Sequence, residues 1–379
     1  MSTVYCLSKR NLISSASYDS IFELEDLILQ TCEAQLLAPK YRNMMQRLEE
    51  QKLATRSIAR RIAEKTVGIY DPITLAQRDA LNHATDTKIL LIVCQHGADL
   101  NLLTAIPGWR KSFDRVVAYV WDCWGLESYP PYTTELDHIF VPMLEVMESL
   151  HRAFGVPVSC LPLGSDALNH GSMGSDRPID IISYGRMPAE VHHEFSRMFN
   201  KPNSDKFYVR LNPRPTEIPP NQPYAMREDM RYRRMLFQHL RRSKITLAFD
   251  TLSPTERKFP FSFLTLRWFE CGAAGCAMVG TPPKTPLAQT ILDWEDAAIA
   301  LPDQLTDSVE FVCELLSDTL RLQRIWRRNY LNHVSRHDWR FRLQQIFDTL
   351  ELPLPQPLSH DLNLLQERYA EMAVTPLNF

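Results

Sequence analysis

Short apolar runs alternate with longer amphipathic stretches along almost the whole chain of 379 residues. Residues 89–95 and 116–122 have the length and apolar content of buried strands, and the segments between such runs repeat apolar residues with helical spacing. Two parallel strands need a crossover connection, usually a helix, between them. This order therefore predicts an α/β fold with parallel sheets.

The alternation occurs twice, and turn-forming residues at 170–178 separate the two series. We predict a Rossmann-like domain at 1–165, a linker at 166–178 and a second Rossmann-like domain at 179–350. A Pro-rich hinge and a last helix occupy 351–379. The predicted strands are 4–7, 36–38, 89–95, 116–122, 139–142, 158–163, 179–184, 207–211, 245–249, 276–279 and 298–301. The predicted helices are 19–34, 42–65, 97–105, 143–154, 188–199, 228–243, 263–274, 285–294, 307–332, 338–350 and 360–372.

Composition excludes several classes of protein. Lys and Arg number 42 against 45 Asp and Glu, so no overall positive field attracts nucleic acid. The eight cysteines form no C-x-x-C pair, which is typical of reduced core residues. The first residues contain no apolar leader, and no run approaches a membrane span. We therefore expect a cytoplasmic protein.

The usual cofactor motifs are missing. The chain has neither G-x-x-x-x-G-K-[ST] nor G-x-G-x-x-G after a strand, which argues against a P-loop enzyme and a standard dinucleotide dehydrogenase. No metal motif is present, since His192-His193-Glu194 lacks the H-E-x-x-H spacing. We therefore expect no bound cofactor and no metal.

The most informative segment is 258–281, where an apolar helix ends in a cluster of small residues before a buried strand. Arg267 and Glu270 lie three residues apart on one face of this helix. One interpretation is an ion pair within the helix. The other is a ligand site, because Gly272 and Gly275 allow a close approach.

Residues 266–280 (LRWFECGAAGCAMVG) resemble the [RY]-x-F-E-x-x-A-x-G-x-x-x-[VL] segment of GT-B glycosyltransferases, especially the CgeB-like, group 1 branch. Residues 179–186 resemble the opening of their nucleotide-binding domain, and 161–166 (LPLGSD) the P-x-G-x-D before it. Residues 337–342 (HDWRFR) are similar to their late H-[TD]-W-x-x-R. The resemblance covers about 138–350. It implies two doubly wound domains facing a central cleft, with the last helix crossing back to the first domain.

The resemblance also implies roles for individual residues. Glu270 matches the carboxylate that accepts hydrogen bonds from the ribose hydroxyls of a sugar nucleotide. Gly185 and Arg186 match the loop under the diphosphate, where Arg186 neutralises the leaving group, and Arg267 is a second diphosphate candidate. Lys258 and Thr265 are candidates for phosphate or sugar contacts. One position departs from the family: retaining members often carry an acidic residue eight positions before the ribose glutamate, where this chain has Ser262.

Two candidates for acceptor chemistry lie in the first domain. His96 and Asp122 end neighbouring predicted strands, and ligand sites of α/β proteins lie at the carboxyl ends of such strands. Both side chains suit proton transfer or binding of a sugar hydroxyl. The alternative is that they only pack or cap their loops.

A basic segment runs from 227 to 242 and includes Arg231, Arg233, Arg234, Arg241 and Arg242. A solvated helix face is the default interpretation. The alternative is peripheral contact with the inner face of a membrane, which would suit a lipid-linked acceptor.

Together these features predict a metal-independent hexosyltransferase that moves a sugar from a UDP- or GDP-sugar to a saccharide or lipid-linked acceptor. The family resemblance favours a retaining mechanism, in which the sugar keeps its anomeric configuration, whereas Ser262 argues against one. Two alternatives remain, a non-catalytic protein that binds sugar nucleotides and another nucleotide-sugar enzyme such as an epimerase.

Overall fold

The computed structural model describes residues 2–12, 18–42, 69–73, 87–211, 228–252 and 261–375. These residues form two compact units. Unit 1 takes the described residues up to 161, residue 228 and 347–358. Unit 2 takes those of 162–211, 229–346 and 359–375.

Unit 1 contains a parallel six-stranded sheet with the order β2-β1-β3-β4-β5-β6. Strands β3 and β4 are buried along nearly their whole length, which explains why their apolar runs located them in the sequence. Residues 97–105 form a 3-10 helix rather than an α-helix. The predicted helix at 42–65 lies outside the described residues. The strands are β1 (Ser2–Leu7), β2 (Gln35–Leu37), β3 (Thr87–His96), β4 (Arg115–Asp122), β5 (His138–Val141) and β6 (Val158–Cys160). The helices are α1 (Asp19–Thr31), α2 (Trp109–Ser112) and α3 (Met147–Phe154).

Unit 2 contains a parallel five-stranded sheet with the order β11-β10-β9-β7-β8. The strands are β7 (Ile179–Ser183), β8 (Tyr208–Arg210), β9 (Ser243–Phe249), β10 (Ala277–Thr281) and β11 (Ile299–Ala300). The helices that lie wholly or mostly in this unit are α4 (Ala167–His170), α5 (Ala189–Phe199), α6 (Glu228–Leu240), α7 (Leu266–Ala273), α8 (Pro286–Ile291), α9 (Leu305–Ser317), α10 (Thr319–Asn332), α11 (Trp339–Thr349) and α12 (Gln356–Val374). The predicted α/β fold class is confirmed.

The predicted single helix at 307–332 is two helices, because Asp318 interrupts it. The carboxylate of Asp318 accepts a hydrogen bond from the backbone N–H of Arg321, 2.9 Å away, and so caps the second helix. A π-helical turn, His333–His337, joins α10 to α11.

The predicted linker at 166–178 is an integral part of unit 2. Asp166 caps α4 by accepting from the N–H of Asn169. Arg177 is 3% exposed and donates to the carbonyls of Ser243 and Ala274 at 2.7 and 2.9 Å. These contacts fix the segment to the sheet and to α7. The chain leaves unit 1 earlier than predicted, after Leu161.

The last helix differs from its expected place. Residues 347–358 belong to unit 1, whereas α12 from Ser359 onward belongs to unit 2. Leu365 of α12 is fully buried in a cluster with Tyr330 and Val334 of unit 2. The helix also starts earlier than predicted, at Gln356, because Pro357 lies in its first turn, where a missing N–H costs nothing.

Two motifs about 170 residues apart in the sequence meet in unit 2. Ser165 and Asp338 form a parallel bridge, in which the Ser165 N–H donates to His337 O and the Trp339 N–H donates to Ser165 O. The Arg340 side chain, 2% exposed, donates to the carboxylates of Asp166, Asp338 and Asp361 at 2.8, 3.0 and 2.6 Å. Burial alone would raise the pKa of Asp166, but the Arg340 guanidinium holds that pKa below its usual value. In the described structure these motif residues hold the fold together.

We expect Arg340→Met to destabilise the protein by roughly 3–5 kcal/mol, because it leaves buried carboxylates without their cation. Urea denaturation measures this loss. Arg197→Met is the control, since Arg197 pairs with Glu194 on an exposed surface and its loss should not change the midpoint measurably. Equal midpoints for the two variants would contradict a stabilising role of Arg340.

Candidate functional site

The sheet of unit 2 has a topological switch point between β7 and β9, where the connections that follow these two strands diverge. The chain goes from β7 to β8 on one side of the sheet and then returns to place β9 on the other side of β7. Ser183, the last residue of β7, is paired with Leu247 of β9. Ligands of doubly wound sheets bind where neighbouring strands diverge in this way, outside their carboxyl ends.

Gly185 begins the connection after β7 and needs to be glycine for two reasons. Its φ of +65° lies in the left-handed region, and a Cβ atom there would meet the guanidinium of Arg267. The backbone of this loop is held by two arginines. Arg267 Nη1 donates to Arg186 O at 2.8 Å, and Arg210 Nη2 donates to Gly185 O at 3.3 Å.

Arg210 and Arg267 therefore bring two guanidinium groups to the loop 184–186, and Arg186 is a third arginine, within the loop itself. Arg267 lies over the ring of Tyr184, 5.3 Å from its centroid. Arg267 Nε and Arg210 Nη1 are buried nitrogens without a hydrogen-bond partner among the described residues. Among the described residues, neither Arg267 nor Arg210 forms an ion pair with a carboxylate. An anion placed at this loop would gain several charge-assisted hydrogen bonds.

Glu270 lies on α7 and is 2% exposed. Its carboxylate forms an ion pair with Arg233 of α6, which is equally buried, and accepts a hydrogen bond of 2.7 Å from the Tyr184 hydroxyl. Burial, with nearby Cys271 and Glu270, raises the pKa of that hydroxyl, so Tyr184 acts as a donor. The alternative ion pair of Glu270 with Arg267 is wrong.

Arg233 also departs from the expectation of a solvated basic face. It packs over the ring of Phe237, with its guanidinium carbon 5.1 Å from the centroid, and is buried, whereas Arg234 and Arg242 are exposed. The cation of Arg233 stabilises the ionised form of Glu270 inside the protein.

The small-residue cluster after Glu270 accommodates a side chain of the protein. A Cβ atom at Gly272 would collide with the imidazole of His333. Burial lowers the pKa of His333 to about 4, so the ring is neutral near pH 7. The close approach predicted at Gly272 is therefore made by His333.

Asp250 follows β9 directly and is 7% exposed. Its two carboxylate oxygens accept from the hydroxyls of Thr251 and Ser262 at 3.0 and 2.6 Å. The hydroxyl of Thr265, at the N-cap of α7, is buried and has no partner in the described part of the chain. Lys258 lies outside the described residues.

Unit 1 has its own switch point, between β1 and β3. The side chain of Asp99 is fully buried there and accepts from Lys9 Nζ at 2.6 Å, from the Tyr18 hydroxyl at 3.1 Å and from the Gln95 N–H at 2.8 Å. Nδ1 of His96 lies 3.5 Å from Asp99 Oδ1, and the His96 side chain is 46% exposed.

His96 and Asp122 are opposite each other in the register of β3 and β4. Asp122 accepts a hydrogen bond of 2.7 Å from the Gln95 side chain. The structure thus brings the two predicted acceptor-side residues to the same edge of the sheet and adds Asp99 as a buried neighbour of His96.

Five polar residues of these two sites were not among the predicted site residues. Asp250 ends a predicted strand in the same way as Asp122, and Arg210 lies near the end of another, so a consistent search of strand ends would have found both. Nothing in the sequence distinguished Arg233 from its basic neighbours. Lys9 and Asp99 required knowledge of which strands are adjacent.

Two kinds of feature are absent from the described ranges. No group of three or more His, Cys, Asp and Glu side chains is arranged to hold a metal ion there. None of the helices in those ranges combines the length and the apolar composition of a membrane span.

Residues 220–348, about a third of the chain, match the family described as glycosyl transferase-like. No curated protein matches the chain. Among solved structures, an alpha-glucosyltransferase in complex with UDP-glucose and DNA containing an abasic site has a TM-score of 0.53 and 15% identity, and the match covers 92% of this chain and 98% of that one.

HepE of Anabaena, in complex with UDP and glucose, has a TM-score of 0.51 and 11% identity, and the match covers 93% of this chain and 100% of that one. At such identities the structural matches show the fold. The CgeB-like branch stays a prediction. The structural matches thus show a GT-B fold, and residues 220–348 within it are similar to a family described as glycosyl transferase-like.

Proposed function

We propose that the protein transfers a sugar from a nucleoside diphosphate sugar to an acceptor and that its donor site is the switch point of unit 2. The observation that supports this proposal is that the side chains of Arg210 and Arg267 contact the glycine loop after β7, to which Arg186 also belongs. UDP-glucose is the first donor to test, because it or its components are bound by the two similar structures.

The diphosphate would lie over the loop 184–186. Gly185 permits a close approach of the phosphate oxygens to the backbone, and the three guanidinium groups supply positive charge. The charge that develops on the leaving diphosphate would be stabilised by these arginines, which is why we propose transfer without a metal ion. Lys258 and Thr265 remain candidates for further contacts.

Glu270 would accept hydrogen bonds from the ribose hydroxyls. Arg233 and Tyr184 hold this carboxylate in place, and a carboxylate suits the ribose because it only accepts hydrogen bonds and has two oxygens for two hydroxyl donors. The ribose would need access to a carboxylate that is now 2% exposed, which requires a small shift of the neighbouring side chains. Arg233 would keep the carboxylate ionised.

Unit 1 would bind the acceptor at its own switch point. His96 is accessible, lies beside the buried Asp99 and neighbours Asp122, so it can bind or deprotonate a hydroxyl. A saccharide and a lipid-linked sugar both present such hydroxyls. The exposed arginines of 227–242 would favour an anionic membrane surface in the second case. Retention of configuration is our proposal for the stereochemical course.

The function is tested by incubating the purified protein with UDP-glucose and candidate acceptors in EDTA. We expect transfer, or slow donor hydrolysis without an acceptor, at a rate that added Mg²⁺ or Mn²⁺ changes little. Loss of activity in EDTA that Mn²⁺ restores would contradict metal independence. Binding without turnover would favour a sugar-nucleotide-binding protein, and conversion of the sugar without an acceptor would favour an epimerase.

Glu270→Gln should weaken UDP binding by about 2 kcal/mol, because a charged acceptor of two hydroxyl donors is lost. Calorimetric titration measures the affinity. Pyrophosphate is the matched control ligand, since it has no ribose, and its affinity should stay unchanged in the variant. Similar losses for UDP and pyrophosphate would show that Glu270 only supports the fold.

Arg186→Ala should lower kcat by roughly 10² to 10³-fold, the scale for removing one preorganised group that stabilises developing charge. Arg186→Lys should retain part of the rate, because it keeps the charge without the planar fork. Steady-state kinetics separate the two parameters. A variant that raises only the donor KM would assign the leaving-group role to Arg267 or Lys258 instead.

A further inference from the structure

We infer that Asp250 binds hydroxyl groups of the sugar that the donor carries and so contributes to the choice of that sugar. This inference rests on the proposed function, since it requires a nucleotide sugar at the switch point of unit 2. Asp250 is not among the residues to which the family resemblance gives a role.

The position of Asp250 follows from the order of the strands. β9 lies directly beside β7, about 4.8 Å away as in any sheet, and Asp250 is the first residue after β9. The Asp250 N–H donates to Thr281 O at 2.8 Å, which extends the pairing with β10 and fixes the backbone. Asp250 and the Gly185 loop thus begin the two connections that flank the switch point.

The carboxylate of Asp250 is nearly buried and is not neutralised by a cation among the described residues. Its partners are two hydroxyl groups, that of Ser262 and that of Thr251, whose single proton is shared with the carbonyl of Phe261 at 2.8 Å. Other buried carboxylates of unit 2 have a cationic partner, as Glu270 has Arg233, Asp166 has Arg340 and Asp180 has Lys244. A buried negative charge without a cation is costly, and such costs persist where a ligand uses the charge.

The neighbours of Asp250 suit a polyhydroxyl ligand. An ionised carboxylate accepts about four hydrogen bonds, and the two hydroxyls use two of them. The serine hydroxyl also accepts from the backbone N–H of Lys284 at 3.3 Å, so the connections after β9 and β10 meet at this point. A sugar hydroxyl can donate to the remaining lone pairs of Asp250.

Ser262, the partner of Asp250, occupies the position at which this chain departs from the family pattern. It lies eight positions before Glu270, where the resemblance leads one to expect an acidic residue. The carboxylate of Asp250 contacts that position at 2.6 Å. Negative charge is therefore present at this place in the fold. It belongs to Asp250 at the end of β9 and not to the segment that precedes α7.

The experiment compares Kd values for UDP and UDP-glucose in the wild-type protein, in Asp250→Asn and in Asp180→Asn. Asp180 is the matched control, because it is buried to the same degree at the opposite end of the neighbouring strand β7. We expect Asp250→Asn to bind UDP within twofold of wild type and UDP-glucose about tenfold more weakly, since a charge-assisted bond to the sugar is lost. Asp180→Asn should leave the ratio of the two affinities unchanged.

A second measurement keeps the inference testable if Asp250→Asn does not fold. Analogues of UDP-glucose in which one sugar hydroxyl is replaced by hydrogen are titrated into the wild-type protein, and at least one should bind about tenfold more weakly than UDP-glucose. In a folded Asp250→Asn protein the same analogue should lose no further affinity.

The results separate the inference from the function on which it rests. If wild-type protein binds UDP-glucose and Asp250→Asn binds it equally well, or weakens UDP to the same extent, Asp250 has only a structural role and the inference fails alone. The inference likewise fails if every deoxy analogue binds wild type as tightly as UDP-glucose. If wild-type protein binds neither UDP-glucose nor UDP, the proposed function fails as well.

Discussion

The parallel pairing of β7 with β9 is the constraint on which the donor site depends. Because β8 lies on the other side of β7, the connections after β7 and β9 diverge, and the pairing of these two strands ends at Ser183 and Leu247. Polar residues at these strand ends can therefore face a ligand rather than the core. Gly185, Arg186 and Asp250 owe their position to this divergence, whereas Arg210 comes from the end of β8 and α7 adds Arg267 and Glu270.

Charge is distributed unevenly around this point. Glu270 is paired with Arg233 and Asp166 with Arg340, so the charges that support the fold are neutralised inside the protein. Arg210, Arg267 and Asp250 have no such partner in the described structure, although each is partly or almost wholly buried. The unneutralised cations lie at the loop after β7, and the unneutralised carboxylate lies after β9. A ligand with an anionic diphosphate and a hydroxyl-rich sugar matches both.

The two sequence motifs outside α7 contribute to the fold of unit 2. Residues 161–166 and 337–342 contact each other through backbone bonds and the carboxylates around Arg340. They hold the start of unit 2 against α10 and α11. A motif shared with a family of enzymes can thus mark a requirement of the fold, and only its contacts distinguish this from a requirement of the chemistry.

The amino-acid sequence by itself determined the α/β class and most strands, because apolar periodicity is a local property. The break at Asp318 and the start of α12 at Gln356 are also local, but their cap chemistry was outweighed by longer periodic patterns. Only the tertiary structure decided that Glu270 pairs with Arg233 instead of Arg267, that Gly272 receives His333 and that Asp250 contacts Ser262. These contacts join residues of different helices and strand ends. The order of the strands in the sheet brings these residues together, and that order cannot be read from the spacing of residues along the chain.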